Sequence, residues 1–353
     1  MKSKPIRIFM TGGTGFLGKE VLALLQLNPD VEVHVLSRNP PALMNYHSSW
    51  KGNLTLFNAG LNLTELKKTK FDVFLHLASL YDLNASYQEV IVNNVFGTNM
   101  ALKLAQELQV PLFVNASSIA AVSNCLGTVS AYDLNLKEHF PDAYSEGKAL
   151  TETQILNWSS ANFSKLNLRL GILVGHSKTG KIDRVDGPYE AVKGFRKLKT
   201  FLGKWSGVYF LPGNEKVRLP FVPVDIAAQG VLDILFKSLL SLQDGHSISR
   251  DYQSYYLAPR QGVEIRKFYT SVMSHLGISN FDFKLVKDLP TEMTASLAHS
   301  LLEFPKEQLR YALDLPSFNT EDTEKMLGLN WCPEFSEYEQ SFWRGYEKFI
   351  SDR

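Results

Sequence analysis

The run Ile6-Arg-Ile-Phe-Met10, followed directly by Thr11-Gly-Gly-Thr-Gly-Phe-Leu-Gly18, constrains this chain more than any other feature. An apolar, strand-like run leads into glycines at Gly-x-x-Gly-x-x-Gly spacing (Gly12, Gly15, Gly18). The apolar residues that follow, Val21, Leu22, Leu24 and Leu25, fall at helical spacing over 18–27. Such a turn lets backbone approach a ligand where a Cβ would block it, and the helix behind it offers free N–H groups and a positive dipole end. A tight turn that merely packs is the plainer alternative. The placement between strand and helix favours nucleotide binding. Gly18-Lys19 is followed by Glu20 rather than Ser or Thr, so a dinucleotide is expected in place of a nucleoside triphosphate.

The same alternation continues. Residues 31–36, 54–57, 72–77, 112–116 and 166–174 read as strands, and 87–108 and 145–159 as helices, with a break at Asn39-Pro40-Pro41. Strands separated by helices imply an α/β fold, a doubly wound parallel sheet with right-handed crossovers. The pattern weakens over 176–219, which is rich in Gly, Lys and aromatics without a clean period. It returns with Asp225 as expected N-cap of a helix over 226–236 and a strand near 255–258. Residues 262–353 read as mostly helical, with loops near 288–290 and 316–323; the terminal helix 338–350, carrying Phe342, Trp343 and Tyr346, is expected to pack on the core. The expected organisation is a dinucleotide-binding part over 1–175, to which 220–258 returns, and a smaller, mostly helical substrate-binding part over 176–219 and 259–353.

Composition closes off several classes. With 353 residues, 44% hydrophobic and 21% charged, the chain can bury a substantial core. Lys+Arg 37 against Asp+Glu 36 leaves +1, no overall electrostatic footprint for nucleic acid. Cys125 and Cys332 cannot build a disulfide framework or a four-thiolate zinc site, and no His-x-x-x-His pair occurs, so no metal is expected. Nothing after Met1 reads as a signal peptide, and no uncharged apolar stretch of about 18 residues occurs. A soluble, cytoplasmic protein without a membrane span is the expectation.

The second strand ends Val35-Leu36-Ser37-Arg38. An acidic residue here would accept from the adenosine ribose of NAD; an arginine pairs instead with a 2′-phosphate and stacks on adenine, which favours NADPH (NADP). Tyr144-Ser-Glu-Gly-Lys148 sets a phenol and an ammonium on one face of a helix start. A phenol near pKa 10 is a poor proton donor or acceptor at neutral pH, and a neighbouring Lys⁺ is expected to bring it toward working range. Tyr189-Glu-Ala-Val-Lys193 repeats the spacing, but in the irregular segment, and reads as a chance match. Ala116-Ser117-Ser118 closes the fifth strand, where ligands of parallel sheets bind; Ser118 is the preferred holder of a substrate oxygen. Asn94, beside Gly97 in the long helix, has either a polar role toward the site or a packing role. His76 reads as a hydrogen-bonded core residue, and Ala78 is small enough to let a cofactor approach.

These pieces resemble the extended short-chain dehydrogenase/reductase family: Thr11 to Gly18, His76-Leu-Ala, Asn94-Val-x-Gly-Thr98, Ser117-Ser118, Tyr144-x-x-x-Lys148 and Val222-Pro-Val-Asp225, in family order. Gly15-Phe-Leu-Gly-Lys-Glu, Leu80-Tyr-Asp-Leu, Gly175-His-Ser-Lys-Thr-Gly180 and Asp186-Gly-Pro-Tyr189 are similar to its fatty acyl-CoA reductase and thioester reductase branch. The resemblance implies a Rossmann domain and an oxidoreductase. It implies Tyr144 as general acid, Lys148 on the nicotinamide ribose, Ser118 on the substrate oxygen and Asn94 in a proton relay. Gly12, Thr14, Gly15, Phe16 and Leu17 would hold the pyrophosphate, Arg38 the 2′-phosphate, and Ala78, Gly171 and Ile172 would line the cofactor. The chain departs from the family at Asn58-Ala-Gly-Leu61 near the adenine, at Arg169-Leu170-Gly171 and at Gly175-His176-Ser177.

The implied reaction is NADPH-dependent reduction of an acyl thioester, carried on CoA or a carrier protein, to aldehyde or alcohol. Residues 176–221 and 259–353, with Trp205, Tyr209 and Phe210, would wall the acyl channel. The rival readings are a dehydrogenase or epimerase acting on an alcohol, a sterol or a nucleotide sugar, and an NADPH-binding protein without turnover.

Overall fold

Neighbouring side chains of the first strand serve opposite layers. In β1 (Ile6–Thr11), Ile8 and Met10 join a cluster with Val33, Leu75 and Val114, while Phe9 joins Phe74, Phe113 and Leu102. The two-residue period of a pleated strand thus feeds apolar layers on both faces. The structure, a computed structural model, describes residues 4–38, 42–43, 53–57, 63–159, 163–202, 208–244, 251–278, 282–287 and 311–352. Strands β1, β2 (Val31–Leu36), β3 (Asn53–Phe57), β4 (Val73–His76), β5 (Leu112–Ser118), β6 (Ser164–Leu170) and β7 (Tyr252–Leu257) form one sheet in the order β7-β6-β5-β4-β1-β2-β3. Every pairing in it is parallel. The strand order reverses at β1, which opens a crevice beyond the carboxyl ends of β1 and β4. This is the doubly wound α/β architecture that the sequence implies.

The longer helices are α1 (Phe16–Leu25), α2 (Gly97–Glu107), α3 (Ala143–Leu156), α4 (Pro188–Leu202), α5 (Val224–Gln243), α6 (Ile265–His275) and α7 (Phe335–Ser351). Leu22 and Leu25 of α1 meet Val231 and Leu235 of α5 in one layer; Leu102 of α2 and Ile155 of α3 fill the other. No helix among the described residues is long and apolar enough to cross a membrane.

The structure departs from the sequence reading in instructive places. The helix expected over 87–108 contains a π-helical turn at Ile91–Phe96, between Tyr87–Val90 and α2. Its wider ring leaves Asn94 buried and Phe96 exposed. The strand expected over 166–174 breaks at Gly171, where a Cβ would lie 2.5 Å from the Pro220 carbonyl oxygen. The chain then leaves the sheet, and Ile172–Val174 pairs with Phe221–Pro223. Asp225 is not an N-cap: α5 starts at Val224 behind Pro223, and Asp225 in its first turn accepts from Ser177 N at 2.7 Å and Ser177 Oγ at 2.6 Å.

The segment over 176–219, read as lacking a period, contains α4 and the strand Val208–Pro212. Its apolar side enters a second core: Tyr189 stacks on Phe342 with centroids 4.4 Å apart, and Phe221 meets Phe268 edge-on at 5.3 Å. Helix α7 buries Tyr338, Phe342, Trp343 and Tyr346, so the terminal aromatics pack on the core as expected. Residues 39–41, 58–61, 288–290 and Trp205 lie outside the described residues.

Candidate active site

Gly12 has φ +80, and a Cβ on it would sit 2.5 Å from the backbone nitrogen of Ala78. Only glycine lets the loop after β1 lie against the exit of β4. A Cβ on Gly18 would sit 2.1 Å from the Gly12 carbonyl oxygen, so the first turn of α1 is pressed onto the loop. Gly15 donates to that same carbonyl at 3.0 Å and caps α1, whose first turn carries no carboxylate. The loop and helix end form a cradle with uncompensated N–H groups and a favourable dipole. Thr14, Gly15 and Phe16 line the cavity here; Leu17 turns into the core. Arg38, exposed after β2, lines the same cavity.

Ser118 ends β5, and its Oγ accepts from Ala120 N at 3.1 Å. Asp142 caps α3 by accepting from Ser145 N at 2.7 Å. That cap sets Tyr144 in the first turn, buried and hydrogen-bonded to Ser118. One turn later, Lys148 Nζ donates to the Ala116 carbonyl at 3.1 Å and lies 5.8 Å from the Tyr144 ring centroid. The sequence thus brings Ser118, Tyr144 and Lys148 to one place.

The electrostatics differ from expectation. Burial pulls the Lys148 ammonium down to about 8, with Glu152 opposing. Burial also pushes the Tyr144 phenol above its ordinary value, Asp142 adds to this, and the Ser118 bond and Arg184 oppose it. Lys148 does not bring this phenol down; desolvation outweighs it. At neutral pH Tyr144 keeps its proton, the form a proton donor needs.

Asn94 stands behind the cavity lining. Its amide accepts from Leu80 N at 2.7 Å and donates to Leu80 O at 3.0 Å, holding the loop after β4. His76 is buried between Thr11 Oγ1 at 2.8 Å and Thr98 Oγ1 at 3.3 Å, and burial holds it down to about 3, the hydrogen-bonded core role read from the sequence. Tyr189 accepts from Gly175 N at 2.9 Å, and Lys193 pairs outward with Glu190 at 3.6 Å, so this second Tyr-x-x-x-Lys is not a copy of the first.

The cavity is about 1210 Å³ and runs from the glycine loop past Ser118, Tyr144, Ala78, Gly171 and Ile172 to Phe221, Phe268 and Tyr269 of the second core. Tyr209 and Phe210, expected in its wall, are not among its lining residues, and Phe210 is 64% exposed. Sequence reasoning gave no role to Arg184 and Tyr311, nor to Tyr81 and Asp186 within the motifs Leu80-Tyr-Asp-Leu and Asp186-Gly-Pro-Tyr189, and all four line it. It also missed the carboxylate of Glu152, which accepts from Ser117 Oγ at 2.5 Å and pairs with Arg169. Their spacing marks none of these roles, since the groups come from distant segments, with only Arg184 and Asp186 sharing one.

A model of an NAD-binding family described as male sterility protein matches residues 42–231. The chain belongs to this family. It is thereby placed among the extended short-chain dehydrogenase/reductases, in their fatty acyl-CoA reductase and thioester reductase-like branch, an oxidoreductase group. The matched stretch includes Ser118, Tyr144 and Lys148 but begins after the glycine loop. Fatty acyl-CoA reductase wat of Drosophila melanogaster is 24% identical over 284 residues, 64% of this chain and 53% of that protein. The polyketide synthase-nonribosomal peptide synthetase hybrid himA of Aspergillus japonicus is 25% identical over 256 residues, 65% of this chain and 6% of that protein. The chain therefore spans a small part of the synthetase and about half of the reductase. Among solved structures, the terminal R domain from the myxalamid PKS-NRPS biosynthetic pathway superposes with TM-score 0.72 at 19% identity, covering 100% of this chain and 92% of that one, which shows the shared fold.

Proposed function

We propose that this oxidoreductase reduces an acyl thioester, held on CoA or on a carrier protein, with NADPH. The observation that carries the reading is the single cavity joining the glycine cradle, the Ser118 and Tyr144 hydroxyls and the apolar second core. The two proteins named above as a fatty acyl-CoA reductase and a terminal R domain support it. We assign the dinucleotide to residues 1–175 with 220–258, and the acyl group to 176–219 and 259–353.

The cradle fits a dinucleotide, because glycine stands where a Cβ would collide with backbone and no carboxylate stands in the first turn of α1. Gly12, Thr14, Gly15 and Phe16 would hold the pyrophosphate, Arg38 a 2′-phosphate, and Ala78, Gly171 and Ile172 the nicotinamide half. When bound, the dinucleotide supplies two electrons as hydride, so that thioester, NADPH and a proton become aldehyde, thiol and NADP⁺. Ser118 Oγ and the Tyr144 hydroxyl donate to the substrate oxygen as charge develops on it. Tyr144 then delivers its proton to the leaving sulfur or, with an aldehyde, to the oxygen. Lys148 would hold the nicotinamide ribose. Asn94 keeps the loop after β4 in place rather than touching the reacting atoms.

The test is NADPH consumption with acyl-CoAs of graded length beside the matching aldehydes, ketones and sterols. Turnover of thioesters with release of free thiol is expected. Turnover of a ketone or sterol with no thiol release would sink the reading in favour of a dehydrogenase. Tightly retained, non-exchanging NAD would do so in favour of an epimerase.

A further inference from the structure

The loop after β4 brings Tyr81 edge-on to Tyr144, with centroids 5.2 Å apart and planes at 82°. Tyr81 is itself covered by Arg184, whose guanidinium carbon lies 4.8 Å from its ring centroid and whose Nη2 donates to its carbonyl at 3.1 Å. Asp186 holds Arg184 Nε. The segment carrying both is fastened elsewhere. Lys19 of α1 donates to Asp183 at 2.7 Å, Ser177 is held by Asp225, and Gly180 is pressed against α7 so closely that a Cβ would lie 1.8 Å from Ser341 O. Tyr81, Tyr144, Arg184 and Asp186 face one cavity. A half-exposed Arg–Asp pair adds little to stability, which is no sufficient reason for a guanidinium stacked one ring away from a proton donor.

We infer that Arg184 is a positioning residue for Tyr144: through Tyr81 it fixes the ring of the phenol, and it brings the site a positive charge from outside the helix that carries Lys148. The inference rests on the reading of Tyr144 as proton donor. Lys148 directs its Nζ to the Ala116 carbonyl, away from that task. The other groups acting on the phenol are Ser118 from β5 and Asp142 from the cap of α3; Asp186 and Tyr311 act on Tyr81, and the Tyr311 hydroxyl lies 3.4 Å from Ser145 Oγ. Of these, Asp142 works with burial to keep the phenol protonated, and Arg184 works against it. A cation over an aromatic ring also resists lateral sliding of that ring, so the stack limits where the Tyr144 hydroxyl can point.

The test replaces Tyr144 with 3,5-difluorotyrosine and follows its titration by fluorine NMR in the full chain, with Arg184 intact, with Arg184→Gln and with Arg184→Lys. Arg184→Gln is expected to move the midpoint to higher pH by about 1 pH unit, as loss of one nearby charge in a partly hydrated site requires. Arg184→Lys restores it. In turnover, Arg184→Gln lowers kcat about 3- to 10-fold at unchanged KM for the dinucleotide, and the more acidic fluorinated phenol recovers the loss. A midpoint that Arg184→Gln leaves in place overturns the inference, whatever the protein reduces. A moved midpoint in a protein that turns over no thioester supports the inference and overturns the substrate reading alone. Melting curves of the Gln and Lys variants separate these results from unfolding.

Discussion

Arg169 of β6 and Glu152 of α3 meet at 2.7 Å with neither side chain exposed. The guanidinium is saturated: it also donates to Ser130 O at 3.1 Å, Asp133 O at 2.7 Å and Tyr256 Oη at 2.9 Å. Glu152 lies one helical turn beyond Lys148 and takes the hydroxyl of Ser117 from β5. The pair therefore locks α3 in rotation against the two strands beneath it. Removing one partner leaves a buried charge alone. Arg169→Met and Glu152→Gln are each expected to lose about 3–5 kcal/mol in urea unfolding, and the double replacement Arg169→Met with Glu152→Leu much less than their sum.

Tyr144→Phe removes the proton donor and keeps the ring against Tyr81. Turnover is expected to fall about 10²–10⁴-fold, with dinucleotide affinity by fluorescence titration unchanged within a factor of a few. Equal activity of the two proteins would revive the reading of a binder without turnover.

Lys148 is a buried cation held down to about 8 against an ordinary 10.5. Below pH 8 both folded and unfolded chains carry its proton, and the cost of burying the charge is felt in full. Between about 8 and 10.5 the folded state has released the proton while the unfolded chain keeps it, so this group's contribution to stability rises with pH. Lys148→Met should therefore raise the pH 7 stability by about 1–3 kcal/mol, with the advantage fading toward pH 10, while turnover collapses. Melting temperatures of both proteins from pH 7 to 10 check the sign.

Much of this was legible because it is local. The glycine spacing, the apolar strand runs and the Tyr-x-x-x-Lys turn of α3 each lie within a dozen or so consecutive residues. The π-turn at Ile91–Phe96 was not, because hydrogen-bond register has no composition signal. Helix α4 was hidden among Lys, Arg and Gly; its apolar residues Tyr189, Val192 and Phe195 become a face only against α6 and α7, where Phe195 meets Tyr269 and Tyr189 stacks on Phe342. Tyr81, Arg184 and Tyr311 meet from three distant segments, and no spacing rule reaches across such gaps. The electrostatic error over Tyr144 had a similar source: the Tyr–Lys spacing shows a neighbouring charge but not how completely the phenol is desolvated.

Arg38 is the chosen contact for a 2′-phosphate, and its loss tests cofactor preference directly. Arg38→Ala should raise KM for NADPH about 10- to 100-fold, the worth of one charge-assisted hydrogen-bonded pair. KM for NADH should change little. Parallel changes for both cofactors would remove the basis for preferring NADPH.

Gly18→Ala places a methyl 2.1 Å from the Gly12 carbonyl oxygen, a backbone atom that cannot step aside alone. The expected result is a folded protein of lowered melting temperature whose dinucleotide affinity drops at least tenfold, because α1 must tilt away from the loop. Calorimetric titration with the cofactor reads it. Undiminished affinity would show that the loop is only a packing turn.

The π-helical turn at Ile91–Phe96 carries one residue more than an α-helical path would need. Asn94 owes its grip on Leu80 to that surplus, and Leu80 is the residue before Tyr81. A chain shortened by one residue here would heal into an ordinary helix, swing the amide about a quarter turn away, and release the loop that presents Tyr81. Loss of a single codon in this stretch would thus reach the proton donor without altering any residue that touches it.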